Sequence, residues 1–193
     1  MNVQALLDQA LGGDAIGQMS RQIGADEQTT ATAVQAALPL LIGGLARNSE
    51  NPEGAASLSA ALGRDHDGNI LDDLGGFLGQ GGASQGAGIL GHIFGGRQQT
   101  VEAGVSRASG LDTGSAAQLL MMLAPVVMGA LGRAQRQQGL DPGALAGMLG
   151  QERQQLESNS GFGMLSQLLD SNNDGQVLDD IARLAGGFLG GRR

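Results

Sequence analysis

The chain has no cysteine, lysine, tryptophan or tyrosine, and only four phenylalanines among its 193 residues. The missing cysteine excludes disulfides, thiolate metal sites, iron–sulfur clusters and cysteine nucleophiles. Two histidines are left to serve a chain without lysine or tyrosine, so most acid–base and nucleophilic toolkits are missing. No serine sits in a nucleophile elbow either. A non-enzymatic protein is expected. A core short of aromatic side chains must be built from Leu, Ile, Val, Met and Ala, which favours closely packed helices over a sheet. Basic clusters are also missing, and the formal net charge is -8. That argues against nucleic acid, whose affinity comes largely from phosphate neutralisation, and against anionic membrane surfaces.

Glycine is abundant, at 35 residues. Inside a helix it costs roughly 1 kcal/mol relative to alanine, so short helices with glycine-closed ends are expected. The opening stretch MNVQALLDQALGGD has no basic region and does not read as a signal peptide. Between Asp112 and Arg133 no charge occurs, and Gly114 to Gly132 is long enough to raise a transmembrane helix. Its counterpart earlier in the chain, Gln28 to Ala46, carries three threonines and two glutamines. Both stretches therefore read as buried core helices, with no stable membrane insertion and a cytoplasmic location.

That counterpart belongs to an internal repeat. Met19 to Arg47 aligns with Val105 to Arg133 at a constant offset of 86, pairing Asp26 with Asp112, Pro39 with Pro125, Gly43 with Gly129 and Arg47 with Arg133. Asp26 and Asp112 each stand where a helix N-cap is wanted. Pro39 and Pro125 each fall inside an apolar helix, where proline removes a hydrogen bond, so a kink or break is expected there. No stretch alternates as a half-buried strand does. The fold class expected is all-α, a duplicated bundle of short helices with a proline-broken central apolar helix in each copy. Residues 1–80 form the first repeat, 81–88 a Gly-rich linker without apolar periodicity, and 89–193 the second repeat.

An acidic loop follows each copy. In DSNNDGQVLDD, Asp170, Asn172 and Asp174 occupy positions 1, 3 and 5 of a calcium loop, with Gly175 at the sharp turn and Val177 at position 8. The carbonyl of Gln176 is the ligand at position 7, but position 12 is Ile181 rather than glutamate, which leaves Asp179 and Asp180 as the carboxylates near the exit. A shorter version runs from Asp65 through Asp67, Asn69, Asp72 and Asp73, with Gly63 where the first ligand should be. Here the offset is 107, so about 21 residues are inserted in the second copy. Both loops are candidate Ca2+ sites. Asp-Gly turns and paired aspartates at a helix start account for the same residues without metal.

Other patterns carry less. Gly86, Gly88 and Gly91 spell a dinucleotide fingerprint, but no strand precedes them. His66 is expected in an exposed turn, and His92 beside an apolar helix face. The phrases ILGHIFGG from Ile89, SRASGLD from Ser106 and LLMMLAPVVMGALGR from Leu119, with the two DG-x-x-LDD endings, resemble domain-of-unknown-function family 937, which is similar to the YidB-like bacterial proteins. The resemblance implies an all-helical fold and no activity. The expected function is a helical interaction or scaffold protein that binds a protein partner or itself. The alternative is a calcium-binding or calcium-stabilised module using the Asp170–Asp180 loop.

Overall fold

Caps set the helix boundaries where the residue pattern places them. The carboxylate of Asp26 accepts from the Thr29 amide at 2.8 Å, and that of Asp112 from the Ser115 amide at 3.0 Å. Just upstream, Gly24 and Gly110 close the preceding helices in the left-handed region, at φ 69° and 83°. Asn51 and Asp141 cap the Gly54 and Ala144 amides, and each is followed by a proline in the first turn of its helix. Each such cap is worth about 1 kcal/mol.

The computed structural model describes residues 3–12, 14–79 and 83–158. Their order is α1 (Val3–Ala10), α2 (Ala15–Ile23), α3 (Glu27–Asn48), α4 (Pro52–Asp65), α5 (Leu74–Gly79), α6 (Ala83–Phe94), α7 (Gln98–Ser109), α8 (Thr113–Gln138) and α9 (Pro142–Ser158). Single 3-10 turns lie at Asn69–Leu71 and Gly95–Arg97, and no strand occurs among the described residues. The fold is all-α.

Two features depart from the sequence expectation. The central helices are not broken at proline: α3 continues through Pro39 and α8 through Pro125. Packing on several sides outweighs the single hydrogen bond each proline forfeits. The Gly-rich segment expected as a linker is helical from Ala83 onward, as the first turns of α6. The reason lies opposite it, on α8. Pro125 has no N–H, so the Met121 carbonyl four residues earlier loses its helical donor. Gly86 packs its backbone against that carbonyl, and a Cβ at position 86 would overlap the Met121 oxygen. A stretch without apolar periodicity is thus held by close backbone contact.

One continuous hydrophobic cluster joins both halves. Helix α8 is its axis, with Leu119, Leu120, Leu123, Val126, Val127 and Leu131 fully buried. Helix α6 packs most extensively against α8, and α3 and α7 also lie on it. The arms cross over: α4, which follows α3 in the chain, packs on α8, while α9, which follows α8, packs on α3. By length and composition α3 and α8 are both apolar enough to cross a membrane, and in this fold 67% and 72% of their apolar windows are buried.

Replacing Gly86 with alanine should cost about 1–3 kcal/mol, because backbone must move to admit the methyl group. At Gly88, two residues on, nothing among the described residues lies within 4 Å of the Cβ position. Gly88→Ala should therefore be neutral or stabilise by up to about 1 kcal/mol. Urea unfolding of the two variants checks the contrast.

Candidate interaction groove

Helices α3, α4 and α6 splay apart over α8 and leave a groove of about 600 Å³. Leu45, Leu58, Ile89, Ile93 and Met128 make it apolar inside. Its rim is polar and mostly basic: Arg47 from α3, Arg64 and His66 from the end of α4, and His92 from α6, with Asp65 as the acidic exception. One wall is fixed by Asn48, whose side-chain amide donates to the carbonyls of His92 and Ile93 at 3.0 and 3.1 Å. Those carbonyls belong to the last turn of α6, where helical donors run out. Helix spacing thus depends on a side chain rather than on apolar contact alone.

Both histidines of the chain border this groove, although 26 residues separate them. His66 is half-buried rather than in an exposed turn. Burial pushes its pKa below the ordinary 6.5, with the Asp65 charge pulling partly the other way. Asp65 itself is held below the usual carboxylate range by Arg64, which donates to both of its oxygens. His92 is exposed beside the apolar side of α6, as expected.

The first acidic loop lies behind the groove, against α8, and its oxygens do not converge. Asp65 pairs with Arg64 at 2.6 Å and Asp72 with Arg133 at 2.7 Å, while Arg136 approaches Asp67 at 3.7 Å. Asp67 also accepts from the amide and side chain of Asn69, and Asp73 caps the Gly76 amide at 2.9 Å. The carbonyl of Gly68 accepts from Arg133 at 2.7 Å. Among the described residues no three acidic or histidine side chains come together as a metal-holding group. In this loop the positive charge is a guanidinium, whose planar fork serves a carbonyl and a carboxylate at once. The sequence singled out the carboxylates of this loop but not Arg133, and the recurrence of arginine at positions 47 and 133 was the one signal for it. The other candidate ligands, Asp170, Asn172, Asp174, Gln176, Asp179 and Asp180, lie outside the described residues.

Residues 5–134 match the model of a family described as bacterial protein of unknown function (DUF937). No curated protein and no solved structure matches the chain.

Because folding depresses the pKa of His66, the unfolded chain takes up a proton at a pH where the folded chain does not. That contribution to stability is intact at neutral pH, starts to fall as the pH drops through about 6.5, and has fallen fully once the pH passes below the folded-state value. Asp26 and Asp112, depressed by their cap bonds to Thr29 and Ser115, lose their stabilisation only at still lower pH, through and below the ordinary 3.8. Urea midpoints measured between about pH 7.5 and about pH 5 should decline in the wild type and decline less in His66→Gln.

Proposed function

The chain belongs to the bacterial family of unknown function DUF937, and we propose that it acts as a non-enzymatic interaction protein working through the groove between α3, α4 and α6. The observation that carries this reading is the groove's composition. An apolar interior with a basic rim, on a chain of net charge -8, suits an apolar segment flanked by acidic residues. A second copy of this chain meets that description, since its own surface is acidic and it carries apolar helical segments beside aspartates. Self-association is therefore the form of binding we favour. Arg47 and Arg64 supply the positive charge of the rim, where Arg64 also pairs with Asp65.

Light scattering over a concentration series tests this directly. The wild type should form a dimer or higher species, and Ile89→Asp, which places a charge inside the groove, should shift it toward monomer by weakening association about tenfold or more. A wild type that stays monomeric up to high concentration sinks the self-association reading.

A second reading is favoured by the spacing of Asp170, Asn172, Asp174 and Gly175, which supplies the oxygens at positions 1, 3 and 5 of a calcium loop and the glycine at its sharp turn. On that reading the Asp170–Asp180 segment is a calcium-binding module. Calorimetric titration with Ca2+ should then give heat that is lost in Asp174→Ala; absence of heat at millimolar Ca2+ removes it.

A further inference from the structure

The groove has the length of a helix, and one helix of the chain has a face that fits it. From α4 the lining residues Asn51, Gly54, Leu58, Ala61 and Asp65 recur every three or four positions, so a single face of that helix forms one wall from end to end. At 1.5 Å per residue that wall is about 20 Å long. Opposite stand Ile89, His92 and Ile93, again at helical spacing on α6, with Met128 of α8 below. Two helical walls over an apolar floor take a row of side chains from one helix face, where anchors recur at i, i+3, i+4 and i+7.

Helix α9 presents such a row outward. Leu145 and Leu149 are fully buried, and α9 packs on α3 and α4. Its other side stays at the surface: Ala144, Gly147 and Gln151 are exposed and Met148 is half-buried. These four positions follow the i, i+3, i+4, i+7 spacing. Just ahead of them Asp141, itself exposed, caps the helix by accepting from the Ala144 amide at 2.8 Å. Among the described residues, the ten positions from 142 to 151 are the longest uncharged run with an acidic residue at each end. Of those two acids only Asp141 supplies surface charge, since Glu152 is 5% exposed. The longer apolar stretches, on α3 and α8, lie in the core.

We propose that the α9 face Ala144–Gln151 of a second copy fills the groove, with Met148 against Ile89 and Ile93 and Asp141 at the arginine rim. This placement rests on the self-association reading and names the surface that the groove receives. Within one chain the contact is not available, because α9 already lies against α3 and α4 and, among the described residues, contributes none to the groove lining. The charges agree. The rim carries Arg47 and Arg64, the latter shared with Asp65, and the entering segment carries Asp141 and no cation. The contact joins two different surfaces, so a chain damaged in one of them keeps the other.

Mixing two variants of the full-length chain tests this, read by sedimentation velocity at matched concentrations. Gly147→Arg puts a bulky cation on the α9 face. It replaces an exposed helical glycine, so the fold should be retained, which urea unfolding checks. Ile89→Asp damages the groove instead. Each variant alone should associate about tenfold or more weakly than the wild type. In an equal mixture, association should be about threefold or more tighter than for either alone, because the intact groove of the first takes the intact α9 face of the second. Asp141→Asn keeps the capping oxygen and removes the charge, and should weaken association about threefold. Unchanged association in Gly147→Arg or Asp141→Asn, or a mixture no tighter than its components, overturns the placement and leaves self-association through the groove standing. A wild type that stays monomeric removes both.

Discussion

Helices with few aromatic side chains between them gain dispersion energy chiefly by coming close, and the rest of this fold follows from that constraint. Dispersion falls steeply with separation, so a core mostly of Leu, Ile, Val, Met and Ala requires helix backbones near one another. Glycine on facing surfaces permits it. Gly86 meets the Met121 carbonyl, Gly132 the His66 carbonyl, Gly129 the side chain of Ile70, and Gly44 those of Ile93 and Phe94. Three of these contacts gather on α8. The cost of glycine inside helices is thereby offset in packing, and glycine works here as a contact residue more than as a helix terminator.

Pro125 belongs to the same arrangement. In an exposed helix its missing N–H would be a local defect compensated by water. Buried on α8, it leaves a carbonyl that faces another helix, and the backbone at Gly86 comes within reach of it. A Cα–H against a carbonyl is a weak donor, worth at most about 1 kcal/mol, so steric access and not hydrogen-bond strength decides which residue fits. Pro39, at the aligned position of α3, is only half-buried and its carbonyl partner residue Gln35 is exposed, so no such neighbour is required there. Two copies of one pattern thus came to different packing solutions according to depth.

Local features were legible in the residues, and features made by two distant segments were not. Asp26 and Asp112 as caps, Gly24 and Gly110 as terminators, and the apolar stretches as core all follow from neighbours within a few positions. The helix over 83–88 did not, because its stabilising partner is Met121 and the segment itself has almost no apolar period. Proline breaks an isolated helix by its propensity, while α3 and α8 are held by contacts on several sides. The groove could not be read at all. His66 and His92 look unrelated along the chain, and the fold brings them to one cleft, beside which Asn48 ties α3 to the end of α6.

The loop Asp65–Asp73 shows how guanidinium groups and backbone amides engage carboxylates that a metal would need. A calcium ion needs about six to eight oxygens directed at one point. Around Asp65–Asp73 the first-position oxygen is lost to Gly63, and the remaining aspartates turn to Arg64, Arg133, Arg136 and the backbone of α5. An arginine repeated in the same register of the helix before each loop is a competitor for the metal, because a divalent cation and a guanidinium drawn to the same carboxylate repel each other.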